Sequence, residues 1–432
     1  MSMNIRTVIT TVILSVIILI PTARGQNNRV SNAIQAYAAG EYQKAYELSG
    51  DALANLDELS GDYVAAAYYY LAKSRIQVLR LAVESGNQEK LSGMQNALVE
   101  SYFDYKEALK TADNKLQTDI IADLSGLYNP ILQTGLSALN TANDPGQASN
   151  VREAALKAAR GYLAAAKDIS PTYLACDLLG QVHLALGDSL GAQQLFAESI
   201  AAYKNKTPVE ADFLMAYVFF RKAMIERYGQ QNNRLALATL MDGQNLLNNE
   251  FGKHTANGTL SAQDRQAYDN GMTDLIGFEL DIYLNDPTLK DDAIVRFQEV
   301  LVLFPEDYDI HVAYANLLED IDLLLAIDAY ETAISIDDSK ELAFFNLGAV
   351  YNNLGSEYYL QGLNEDDDAV ADSLYNEANN YFRSAYTYME QAYHMDPFAI
   401  QTIRALVQLA NSLGLDEQSE FYKKKEMDLR GF

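Results

Sequence analysis

Asn364, Asp366, Asp368 and Asp372, in the run QGLNEDDDAVADSLYNEANN, occupy the first, third, fifth and ninth places of a calcium-loop pattern. Ala369 stands where that loop needs glycine for its sharp turn, and Tyr375 where it needs a bidentate glutamate. The run therefore predicts a solvated acidic start to an extra helix and no metal. The four histidines, His183, His254, His311 and His394, are too far apart for a helical metal pair, which wants two ligands three to five residues apart. The single cysteine, Cys176, excludes an internal disulfide and any Cys-rich metal site. No Gly-rich phosphate loop ending in lysine, nucleophile-elbow serine or zinc-protease helix occurs. The expectation is a protein that is not an enzyme, with no catalytic residue, metal or cofactor.

What remains chemically distinctive is charge. The chain has 59 acidic and 32 basic side chains, a net charge of −27. Residues 1–264 carry 26 acidic and 22 basic, whereas 265–432 carry 33 acidic and 10 basic, four of the ten being Lys423, Lys424, Lys425 and Arg430. A nearly single-signed surface repels nucleic acid and anionic lipid and favours basic partners or cations; the plainer reading is solubility, since acidic residues keep a long protein dispersed.

The elements that position these charges read as helices throughout. AFFNLGAVYNNLG, Ala343 to Gly355, puts Phe344, Leu347, Gly348 and Tyr351 on one face. AYTYMEQAYHMDP, Ala385 to Pro397, answers with Ala385, Met389 and Ala392 before a proline stop. Small residues let two antiparallel helices approach and large ones fill the gaps beside them. The same pattern recurs in 172–204, with Cys176, Leu179, Gly180 and His183 facing Ala192, Phe196 and Ser199 across Gly187-Asp188. Ala158 to Ala192 is an offset of 34 residues; Ala293 to Ala326 is 33; Ala326 to Ala385 is 59, or 34 plus an insertion of 25 near 356–384. Helices are also expected over 62–84, 90–112, 117–139 (broken near Asn129-Pro130), 151–168, 209–228, 234–249 and 265–284, with a loop over 251–261.

A 34-residue helix–turn–helix with small positions at Gly180, Gly348, Ala192, Ala293, Ala326 and Ala385 and stops at Pro305 and Pro397 resembles the tetratricopeptide repeat. The first-helix tryptophan of that family is replaced by Cys176, His311 and Phe344. The resemblance covers 158–204 and 291–397, with looser matches at 30–57, 209–250 and 399–430. It implies an all-α, right-handed superhelical solenoid of about nine antiparallel pairs, some divergent, with one helical insertion and a capping helix at the C-terminus. In such arrays first helices line a concave groove that binds segments of other proteins. Carried over by spacing, the groove-facing candidates are Asp177 and Gln181; Phe278 and Ile282; Asp309, Asn316, Glu319 and Asp320; and Phe345, Asn352 and Asn353. None is lysine or arginine. The family's two-lysine clamp for a C-terminal carboxylate is therefore missing, and basic or neutral protein segments are the expected partners. The alternative is a glycan-binding groove of aromatic and acidic side chains.

Residues 1–25 resemble an export signal: Arg6, the apolar run Val8 to Ile20, Pro21, and small residues Ala23 and Gly25 before Gln26. Thirteen apolar residues span about 20 Å as a helix, short of the ~30 Å hydrocarbon core. The expected organisation is a cleaved signal over 1–25, a near-neutral helical array over 26–264 and an acidic one over 265–432. The protein is expected in the periplasm or outside the cell, touching membrane only if the signal stays uncleaved.

Overall fold

The computed structural model describes residues 25–206 and 212–431; the export pattern of 1–24 lies outside them, apart from Gly25 at its end. The described residues form nineteen α-helices and no strand. Contacts divide the chain into two compact units, Met1–Met272 and Thr273–Phe432. The division falls inside a helix, a little beyond the expected boundary after 264.

In the first unit, five antiparallel pairs follow one another. They are α1 (Gln26–Ala38) with α2 (Tyr42–Leu53), and α3 (Gly61–Glu84) with α5 (Ala97–Leu109). Next come α6 (Asn114–Asn143) with α7 (Ser149–Ile169), α8 (Tyr173–Ala185) with α9 (Ser189–Lys204), and α10 (Met215–Met224) with α11 (Asn233–Ala256). A short α4 (Gln88–Ser92) precedes α5, so the single helix expected over 90–112 is interrupted at Gly93. The small-to-large rule is literal here. A Cβ on Gly180 would lie 2.6 Å from the Phe196 ring, so only glycine lets α8 and α9 come this close. Ser199, fully buried, donates its Oγ proton to the Tyr173 carbonyl at 2.8 Å.

Like helices then stack on like. First helices are linked by Tyr37 against Tyr70, Lys73 to Asp123 (3.0 Å), Tyr128 to Thr172 and Arg221 to Asp177 (2.9 Å). Second helices are linked by Lys106 to Asp168 (2.8 Å), Lys167 to Glu198 (2.6 Å) and Lys204 to Asp242 (2.7 Å). This is nearest-neighbour stacking, in which each pair buries its face on the next.

The second unit holds four pairs: the part of α12 (Ala262–Asn285) from Thr273 onward with α13 (Lys290–Leu303), α14 (Tyr308–Glu319) with α15 (Leu323–Ile336), α16 (Glu341–Leu363) with α17 (Asp368–Met395), and α18 (Ile400–Ser412) with α19 (Asp416–Arg430). In the first of these, Arg296 grips the fully buried Glu279 with Nε and Nη2 at 2.8 and 3.1 Å. In the last, only Ser419 and Tyr422 of α19 are buried. All-α pairs, nine among the described residues, are what the resemblance implied.

Four local expectations change. The helix over 117–139 does not break at Pro130: α6 runs 30 residues through it, held by burial of Leu127, Ile131 and Leu132 on both sides of the proline. The loop expected over 251–261 is helical as far as Ala256. The helix expected over 209–228 begins at Met215 and ends in a π-turn, Ile225–Gly229; residues 207–211 lie outside the described set.

The fourth concerns the insertion, which makes no extra helix. It lengthens both members of the pair, so α16 continues past Gly355 to Leu363 and α17 starts at Asp368. A seam of seven-residue period holds the extension. Cβ atoms on Gly348, Gly355 and Gly362 would lie 2.9, 2.7 and 2.8 Å from Met389, Phe382 and Tyr375. Glycines rise by seven as their partners fall by seven, the geometry of antiparallel helices wound gently about each other. The calcium-like run sits at the tip of this hairpin. Asn364 turns its amide back to the Leu360 carbonyl (2.8 Å), Asp367 caps α17 by accepting from Ala369 and Val370, and Asp368 and Asp372 lie in the helix itself. Among the described residues no group of three or more His, Cys, Asp or Glu is placed to hold a metal.

Candidate functional site: clefts between first helices

In Thr273–Phe432 the first helices lie side by side. Lys340, just before α16, reaches Asp309 of α14 at 3.4 Å, Asn346 of α16 donates to Asn316 of α14 at 3.1 Å, and Thr402 of α18 donates to Glu341 of α16 at 3.3 Å. Two clefts open along this row. One, of about 320 Å³, lies between α12 and α14. Ile276, Leu280, Leu284, Phe304 and Ile310 give it an apolar floor, and Asp281, Asp307 and Asp309 stand on its rim; no lysine or arginine lines it. The other, of about 560 Å³, lies between α16 and α18, with Leu342, Phe345, Phe398 and Ile400 on one side of its chemistry and Glu341, Asn346, Gln401 and Thr402 on the other. Phe398 is 73% exposed, an unusual cost for an aromatic ring in water.

The sequence-derived candidates fall into three groups. Asp309 and Phe345 line these clefts. Glu319 and Asp320 line a smaller recess at the turn between α14 and α15, while Asn316, Asn352 and Asn353 are at least partly exposed on α14 and α16. Glu319 and Asn316 both accept the Tyr330 hydroxyl proton, so they hold α15 in place as well as facing outward.

The third group is corrected. Phe278 and Ile282 are buried, and the cleft face of α12 is one residue away, at Gly277 and Asp281. Spacing could not find it, because α12 is buried on more than one side here: Leu275, Ile276, Phe278, Glu279, Leu280 and Ile282 are all buried. In the first unit, Asp177 and Gln181 form an internal network. Arg221 donates to Asp177 Oδ1 at 2.9 Å and Gln181 to Oδ2 at 2.9 Å. Burial pushes the Asp177 carboxyl above its ordinary range, against the pull of Arg221.

Nor is the row free of cations, as a list confined to helix faces implied. Lys340 sits 4.3 Å over the Tyr308 ring beside Asp309, and Lys290 reaches Asp320 at 3.2 Å. Both pairs are exposed at the acidic end, where such contacts hold weakly and exchange with a competing cation. Ala343 N–H donates to the Tyr308 hydroxyl at 2.9 Å, which fixes the ring under the lysine.

Spacing missed Phe398 and Phe304. Each follows or precedes a helix stop, Pro397 and Pro305, where no helical face exists to bury a ring. An aromatic residue next to a terminating proline is the signal that could have found them. Cys176 is buried and its thiol is pushed up by burial, so it is an inert packing residue.

No protein-family model matches the chain, and no curated protein matches it. Among solved structures it is similar to the assembly chaperone of RpL4 (Acl4, residues 1–338), at 15% identity and a TM-score of 0.38, over 66% of this chain and 99% of that one. It is also similar to a MamA RS-1 ArsTM double mutant, at 14% identity and a TM-score of 0.34, over 51% and 97%. A TPR repeats protein (BF2334) from Bacteroides fragilis matches at 14% and 0.28, over 64% and 98%. Scores this low leave the fold to rest on the helix pairs and links described above.

Proposed function

We propose that this chain is a non-catalytic scaffold for protein–protein interaction, and that the clefts between first helices of Thr273–Phe432 receive partner segments carrying an apolar side chain beside basic ones. The α12–α14 cleft carries the reading: an apolar floor to bury a side chain, under a rim of three carboxylates, only one of which, Asp309, has an exposed lysine beside it, Lys340 at 3.4 Å. Apolar burial at about 25 cal/mol per Å² supplies affinity, and the surrounding negative field selects and steers the partner. The net charge of −23 over Thr273–Phe432, 32 acidic against 9 basic residues, extends that field over the whole unit. We place the protein outside the cytoplasm, in the envelope or beyond it, on the strength of the charged, apolar and small-residue pattern of residues 1–25. Mass spectrometry of the N-terminus from fractionated source cells tests that location; a chain starting at Gln26 supports it, and an intact Met1 in the cytoplasm contradicts it.

Panning a random peptide display library on the protein tests the binding. Enriched peptides should pair a large apolar residue with lysine or arginine, and Ile310→Ser or Phe345→Ser should each reduce the enrichment while leaving the helical melt nearly unchanged. No enrichment, or enrichment equal on both variants, sinks the reading. The glycan alternative is met by an array of envelope polysaccharides. Against it, the tyrosines that would stack on sugars are turned on one another, Tyr351 lying 5.6 Å from Tyr388 at an interplanar angle of 6°.

A further inference from the structure

The acidic unit carries, at its own far end, a segment of the chemistry its cleft selects. From Thr273 to Tyr422 there are 30 acidic and 5 basic residues; Lys423 to Arg430 then adds 4 basic residues in eight positions. On α19, Phe421 is 50% exposed, and Lys424 and Lys425, three and four residues further on, are exposed on the same side of the helix. Lys423 and Arg430 pair with Glu420 and Glu426 of the same helix. Lys424 and Lys425 enter none of the ion pairs among the described residues, and Lys425 lies 5.7 Å from the Phe421 ring. Asp428 follows a turn later.

This face cannot fold back onto the cleft of its own chain. Tyr422 packs on Tyr393 (5.3 Å) and bonds Glu390 of α17, and Ser419 bonds Asn411 of α18. Those contacts fix α19 in the last pair of the unit, whereas the cleft is formed by the first two. Complementary surfaces held at opposite ends of one body meet only in a second copy.

We propose that α19 of one copy docks on a second copy, with the Phe421 ring in the α12–α14 cleft and Lys424 and Lys425 against the Asp281 and Asp309 rim. The inference rests on reading that cleft as a peptide site, and names this chain as one of its ligands. One ring and two lysines bury far less than the roughly 1,200 Å² of a stable interface, so the association is weak, reversible and sensitive to concentration and salt.

Sedimentation velocity of the full-length protein from about 10 to 200 µM tests it. At about 50 mM salt the weight-average mass should rise with concentration, and at about 300 mM the association constant should fall at least fivefold. Lys424→Glu/Lys425→Glu should lower it at least tenfold, as should Phe421→Ser, at exposed positions where the fold is not at stake. Asp281→Lys/Asp309→Lys should also abolish association, checked by its circular dichroism melt; Asp309→Lys alone, at an 81% exposed side chain, serves if the double variant melts early. The decisive step is to mix the lysine-to-glutamate chain with the aspartate-to-lysine chain, each silent alone. Restored association supports the pairing. A mass of one chain at every concentration, indifference to the α19 variants, or a silent mixture overturns it. If library peptides still bind a strictly monomeric protein, this inference fails while the peptide-binding reading stands.

Discussion

The two units solve the same stacking problem with different chemistry. Met1–Met272, with 27 acidic and 23 basic residues, joins neighbouring pairs with lysine–carboxylate and arginine–carboxylate contacts: Lys73 to Asp123, Lys106 to Asp168, Lys167 to Glu198, Lys204 to Asp242 and Arg221 to Asp177. Thr273–Phe432, with 9 basic residues, makes fewer such links, Lys340 to Asp309 and Lys290 to Asp320, and relies more on tyrosine hydroxyls as donors, of which Tyr102 to Asp168 is an example in the first unit too. Tyr330 bonds Glu319 and Asn316 within one pair; between pairs, Tyr351 and Tyr388 converge on Glu331 at 3.4 Å each, and Tyr422 reaches Glu390 at 3.1 Å, which Tyr386 of the same helix also bonds at 2.9 Å. A neutral donor satisfies a carboxylate without cancelling its charge. The second unit thus keeps a strong negative field while its helices stay joined.

The comparison can be broken by degrees, with hydrogen exchange read separately over the two units. The largest effect should come from Gly355→Val, which drives a branched side chain into Phe382 across the seam joining α16 and α17. Overpacking of this kind costs about 2–3 kcal/mol. Amides of Thr273–Phe432 should exchange faster while those of Met1–Met272 stay unchanged. Next, Tyr330→Phe removes the buried hydroxyl that joins α15 to Glu319 and Asn316, and should cost about 1–2 kcal/mol in a denaturant melt.

Third is pH. The hydrogen bond from Lys106, then that from Tyr102, holds the Asp168 carboxyl below its ordinary range, and Lys167 does the same for Glu198. Their contribution to the first unit is present above the unfolded carboxylate range and is lost as pH falls through the depressed folded values. Tyr351 and Tyr386 of the second unit are pushed up to about 12, chiefly by burial. Their contribution is complete below about pH 10 and is lost as pH rises towards 12. Acid exchange should therefore reveal the Lys–carboxylate links, and alkaline exchange the tyrosine links. The smallest effect should be Lys106→Met, which removes an exposed pair and should cost at most about 1 kcal/mol, vanishing in high salt.

How much of this was legible in the sequence follows from what repeats. Small-and-large spacing at 34 residues is a packing rule expressed in residue types, so Gly180 with Phe196 and Gly348 with Met389 could be read directly. The helix read over Ala343 to Gly355 runs on to Leu363, and the recurrence of glycine every seven residues, at Gly348, Gly355 and Gly362, is the signal for that longer reading. The clefts were half legible. Asp309 and Phe345 came out of spacing, but α12 is buried on too many sides for periodicity to choose a face, and Phe278 and Ile282 were placed one residue off. Lys340 and Lys290 were missed because they lie where one helix gives way to the next, outside any helix-face pattern.

The central claim is that the acidic, apolar clefts of Thr273–Phe432 select basic and apolar segments. Its most direct measurement is the affinity of two labelled helical peptides, identical but for Phe-x-x-Lys-Lys in one and Phe-x-x-Glu-Glu in the other, titrated by fluorescence anisotropy at about 50 mM salt. The lysine peptide should bind at least tenfold more tightly, and Asp309→Lys should erase the difference while the melt is unchanged. Equal affinity for the two peptides, or a lysine preference that survives Asp309→Lys, would contradict the account.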